Sequence, residues 1–169
     1  MTTTPVWVWL PGTTQPVRAG EFEIGGAVGR FSYTAEFRER PGAFALDPVS
    51  LPFTRSQRPH TETKHGGLFG VFRDASPEGF GLELLKRQAG SDLTSPLERL
   101  ELSAGDAVGA IEVCRDIERK LAWRPVPLEI LIERVQALGP TQSAGRAVRE
   151  EEDIEGTSLG GERPKMTVL

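Results

Sequence analysis

The chain has 169 residues, enough for one domain or a compact domain and the start of another. A net charge of -4 and a pI near 5.3 argue against a surface built to bind nucleic-acid backbone. A single cysteine, Cys114, excludes an internal disulfide and points to a reducing, cytoplasmic setting. The start, Met-Thr-Thr-Thr-Pro, has no basic stretch leading into an apolar run, so no signal peptide is expected. No apolar stretch approaches the roughly 18 residues of a membrane span, so membrane function is not expected.

The first third reads as antiparallel β-structure. Val6-Trp7-Val8-Trp9-Leu10 is β-branched and aromatic, and Pro11-Gly12 marks a turn. A second strand runs from Pro16 to Ile24, and Gly25-Gly26 supplies the tight turn of a hairpin. The return strand covers Ala27 to Tyr33, with Phe31 and Tyr33 on one face. Pro41 to His65 is Pro-rich and irregular, and its prolines exclude a central strand.

Helices follow. Ser76-Pro77-Glu78 pairs a capping serine with a proline at the first helical position. Phe80, Leu84 and Leu85 supply an apolar stripe and Gly90 a stop. Ser95-Pro96-Leu97-Glu98 repeats the start signal for a short helix through Leu102. Val108 to Cys114 reads as a strand, and Pro127 to Leu138 as a helix with Leu128, Leu131, Ile132, Val135 and Leu138 at helical spacing.

Residues 140–156 change character, and the run Arg-Glu-Glu-Glu-Asp-Ile-Glu over 149–155 reads as an acidic linker. Residues 157–169 then show a strand, a Gly-rich loop and an apolar segment that stops mid-pattern, so the chain is expected to be the front of something longer. The organisation predicted is α+β: a small antiparallel sheet with helices over 1–139, a linker over 140–156, and the first strand, Gly-rich loop and strand of a kinase-like domain over 157–169.

The Gly-rich loop is the phosphate-binding candidate. Gly160 and Gly161 let backbone N–H groups converge on an anion, and Lys165 adds a point charge. The spacing is not that of a Walker loop, and a hairpin turn with a lysine beside it is the plain alternative. Other candidates are poorer. His60 and His65 have no convincing third ligand toward the roughly four a metal needs. Cys114 fits an inert core thiol. Trp7, Trp9 and Trp123 fit burial in a small sheet better than base stacking. Phosphoryl transfer requires groups that hold metal and position the nucleophile, often an Asp and an Asn. The sequence contains no asparagine, and no aspartate follows the loop.

In order along the chain, Val6 to Gly12, Pro16 to Gly20, Gly29 to Tyr33, Ala45 to Pro48, Gly67 to Pro77, Ala104 to Ala110 and Ser158 to Lys165 resemble the HipA family of toxin–antitoxin serine/threonine kinases. The resemblance implies an N-terminal region packed on a larger helical kinase domain. It also implies ATP and Mg2+ as cofactors of the complete enzyme, and a helix-turn-helix, HipB-like antitoxin that brings the protein to DNA only indirectly. By the same resemblance, Gly160, Gly161, Glu162, Arg163, Pro164 and Lys165 line the nucleotide phosphates, and Ser158 is the autophosphorylated serine. Glu162 departs from the small residue usual there. The catalytic and metal-binding aspartates have no counterpart, so an inert front portion of the kinase is expected. The alternative is a stand-alone regulatory subunit of a split system, acting in trans on a separate kinase.

Overall fold

A computed structural model describes residues 3–54, 58–107, 109–125, 127–130 and 132. Their class is α+β, as expected. Five antiparallel strands form one sheet in the order β4-β3-β2-β1-β5. These are β1 (Thr4–Val8), β2 (Val17–Gly25), β3 (Val28–Tyr33), β4 (His60–Glu62) and β5 (Ile111–Val113).

Period-two alternation decides which face is core. In β1, Val6 and Val8 are fully buried, and across the ladder they face Val113 and Ile111. Phe22 of β2 faces Phe31 of β3, and both are fully buried. Because the valines take the core face, Trp7 and Trp9 stand on the opposite face and are only half-buried. The expectation that they are buried in the sheet is therefore corrected to one side of it.

The hairpin between β2 and β3 turns at Gly26, whose φ of 63° suits a residue without Cβ. Helix α1 (Ala35–Glu39) follows β3 directly. Its cap is Thr34, whose hydroxyl accepts the Phe37 N–H at 3.1 Å. Tyr33 then fastens the Pro-rich segment. Its hydroxyl donates to the Leu51 carbonyl at 2.6 Å and accepts from the Leu46 N–H at 2.8 Å. The strand hidden in that segment, β4, lies at the sheet edge just after Pro59, where a missing ladder donor is tolerated.

The run from Gly67 to Pro77 builds the core. A Cβ on Gly29 of β3 would stand 1.8 Å from the Gly67 carbonyl oxygen, so the two backbones meet as only glycines allow. From this contact, a 3-10 turn at His65–Gly67 leads into α2 (Gly70–Asp74). Phe69 and Phe72 enter the core there, with Phe72 4.7 Å from Phe22 and 5.6 Å from Phe31 between ring centroids. Ser76-Pro77 does not cap a helix as expected. Ser76 is buried and its N–H closes α2 on the Arg73 carbonyl at 3.0 Å, while α3 (Gly79–Ala89) starts after Glu78. Leu84 and Leu85 are buried, and Gly90 ends α3 with a φ of 63°.

Helix α4 (Pro96–Leu102) starts as the sequence signals, with the Ser95 hydroxyl accepting the Glu98 N–H at 3.4 Å. Beyond β5 comes α5 (Ile117–Ala122), capped by Asp116, whose Oδ1 accepts the Arg119 N–H at 3.0 Å. Residues 128–130 and 132 are helical too, at the start of the helix expected over 127–138; its remainder lies outside the described residues.

Candidate functional site

Gly160, Gly161, Glu162, Arg163, Pro164, Lys165 and Ser158 lie outside the described residues, as do the linker and the final segment. Among the described residues, no group of three His, Cys, Asp or Glu side chains comes together. His60 sits on the edge strand with its ring edge-on to Tyr33 at 5.9 Å. Burial, and secondarily the nearby Arg38, holds its pKa below the usual value. His65 lies apart from it in the 3-10 turn.

Cys114 follows β5 and is buried, and desolvation pushes its thiol up to about 11. A thiol in that state is a packing group, not a nucleophile. Its carbonyl oxygen accepts the Trp7 indole N–H at 3.0 Å.

The most concentrated polar chemistry lies where α4, β5 and α5 meet. Glu112 points away from the Val6–Val113 core face and stands opposite Trp7 in the ladder. Lys120 of α5 reaches it with a 3.2 Å ion pair. The same ammonium donates at 2.9 Å to the Leu100 carbonyl, at 2.6 Å to the Ser103 carbonyl and at 2.7 Å to the Ser103 hydroxyl. Arg119 adds bonds to the Glu101 and Ser103 carbonyls at 2.6 and 3.2 Å. These carbonyls end α4, where intrahelical donors run out and the helix dipole favours cations. Burial lowers the Lys120 pKa and raises that of Glu112, and each shift is opposed by the partner's charge. An amine so fully engaged fastens α5 to the domain and is not available as a nucleophile.

Beside this pair opens a cleft of about 400 Å³. It is lined by Trp9, Gly105, Glu112, Lys120, Leu121, Trp123, Arg124 and Pro125. Gly105 is obligatory at this seam, since a Cβ there would come 2.1 Å from the Lys120 carbonyl oxygen. Trp9 and Trp123, far apart in sequence, thus line one site. Sequence reading had no signal for the pairing, because only the antiparallel placement of β5 beside β1 brings α5 near Trp9.

No curated protein matches the chain. Residues 8–114, more than half of the chain, match the model of the HipA N-terminal domain. The match runs from Val8, the last residue of β1, to Cys114, just past β5, and so takes in β2 through β5. The chain belongs to the HipA N-terminal domain family.

Proposed function

We propose that this chain serves as the front domain of a HipA-like serine/threonine kinase, the toxin component of a toxin–antitoxin pair. The observation that carries the reading is the family match across residues 8–114. In this reading Gly160, Gly161, Glu162, Arg163, Pro164 and Lys165 line the phosphates of ATP with Mg2+, and Ser158 is the modifiable serine. Phosphate on Ser158 would add negative charge beside the cradle and repel its ligand. The partner is a helix-turn-helix antitoxin of the HipB type in the cytoplasm. DNA is approached only through it, in keeping with the net charge of -4.

The 169 residues themselves do not carry out phosphoryl transfer. They include no asparagine, and the last aspartate, Asp153, precedes the Gly-rich loop. The groups that position a hydroxyl and hold metal therefore belong to residues other than these. Incubating the purified chain with radiolabelled ATP and magnesium tests the point. No phosphate enters the protein or a generic substrate; incorporation without an added partner overturns the reading.

A second reading, action in trans on a separate kinase chain, is favoured by the closed core of the described residues, in which strands, α1, α2 and α4 bury one another. It expects the purified chain to bind or modulate a kinase chain encoded beside it.

A further inference from the structure

The cleft lined by Trp9 and Trp123 has no part in the proposed function. Its apolar surface comes from two half-buried indoles, Leu121 and Pro125. Its charges are unequal in kind. Glu112 and Lys120 neutralise each other at 3.2 Å and are almost fully buried, so that pair offers no net charge to a guest. Arg124 is exposed at the same cleft. Its Nη1 donates at 2.7 Å to the carbonyls of Leu121 and Trp123, which fixes the guanidinium against the chain. No hydrogen bond among the described residues uses its Nε or Nη2.

An apolar cleft lined by two tryptophans, with one exposed cation carrying spare donors, is complementary to an amphiphilic anion. A volume of about 400 Å³ accommodates a ring with a short chain. The geometry points to a binding site for a small aromatic carboxylate, its ring between Trp9 and Trp123 and its carboxylate on Arg124. The site also has a mechanical consequence. The lining draws both on Trp9, next to β1, and Glu112 of β5 and on the segment from Lys120 to Pro125, so a guest touching both braces α5 against β1 and β5. This inference does not rest on the proposed kinase function.

The test uses the full 169-residue chain, labelled with nitrogen-15, and titrates it with 3-phenylpropionate and with its neutral amide. The three indole N–H signals belong to Trp7, Trp9 and Trp123. On adding the acid, the Trp9 and Trp123 signals move together on one saturating curve while Trp7 stays. The acid binds more tightly than the amide by roughly 2- to 5-fold, the range of an exposed ion pair. Arg124→Gln, an exposed substitution that leaves the core alone, abolishes that difference. Trp9→Val, checked for folding by circular dichroism, weakens both ligands. The proposal is overturned if no indole signal moves, if Trp7 responds as Trp9 does, or if acid and amide bind Arg124→Gln with the wild-type ratio. Should Trp9→Val fail to fold, the acid–amide comparison and Arg124→Gln decide the matter alone.

Discussion

Lys120 holds its ammonium 3.2 Å from the Glu112 carboxylate, with side chains 1% and 6% exposed. Removing one member of such a pair leaves the other charge buried without compensation, which costs about 3–5 kcal/mol. Lys120→Met is therefore expected to lower the urea midpoint sharply. Adding Glu112→Leu recovers part of the loss, but not all, because the α4 carbonyls at Leu100 and Ser103 still lack their donor. Burial raises the Glu112 pKa above 4.5, and losing Lys120 raises it further, so the folded variant takes up a proton more readily than the unfolded chain. The deficit of Lys120→Met thus shrinks as pH falls toward that window and is largest at neutral pH and above.

Tyr33 is the sole tyrosine, so phenolate absorbance reports on it alone. Burial pushes its pKa up to about 12 from 10.0, with the hydroxyl held between the Leu51 carbonyl and the Leu46 N–H. A folded pKa above the unfolded one means the contribution is fully present below pH 10.0 and is lost as pH rises toward about 12. The absorbance titration of the native chain is expected near the higher value, and that of the urea-unfolded chain near the lower. Tyr33→Phe removes this alkaline dependence and costs roughly 1–3 kcal/mol, since the Leu46 N–H loses its acceptor. A native titration at the unfolded value would show that the Pro-rich segment is not fastened in this way.

Cys114 is the sole cysteine, buried, and with a thiol near 11. A thiol-reactive dye at mildly alkaline pH is expected to label the native chain no faster than the protein opens, and to label it at once in denaturant. Rapid native labelling would mean that the junction of β5 and α5 is open in solution.

The legible parts of the fold are those where local chemistry and tertiary role agree. The alternation in Val6-Trp7-Val8, the turn at Gly26, the Ser95 cap and the Gly90 stop all appear where the sequence places them. Ser76-Pro77 misleads because the serine is used to close α2, a role with the same residue type as a cap. Helix α5 is hidden for a different reason. The residue it buries is Lys120, so a search for apolar periodicity finds no stripe, and the remaining signal is Asp116 three residues before Arg119. Helix α1 has one buried anchor, Phe37, too few for a period to show. The Gly-rich loop is read from local spacing alone. The cleft, by contrast, joins Trp9 to Trp123 through strand pairing, which no local pattern encodes.

The contact between Gly29 and Gly67 makes the sharpest steric prediction. Gly29→Ala puts a methyl group 1.8 Å from the Gly67 carbonyl oxygen and 2.8 Å from its carbon, both backbone atoms. Gly67 cannot yield easily: its φ is 87°, and its own Cβ position lies 2.5 Å from the Gly29 nitrogen. Strand β3 must therefore part from the turn that delivers Phe69 and Phe72 to Phe22 and Phe31. Overpacking of this kind costs about 1–3 kcal/mol, and here the displaced groups are main chain, which places Gly29→Ala at the upper end. Gly12→Ala is the control: its φ is 77° but nothing lies within 4 Å, so it bears only the left-handed penalty of roughly 1–2 kcal/mol. Thermal unfolding followed by near-ultraviolet circular dichroism separates the two. Both variants lose melting temperature, but only Gly29→Ala changes the aromatic signal of the folded state, because only there does the phenylalanine cluster shift; an unaltered spectrum at wild-type stability would contradict the close approach of these two glycines.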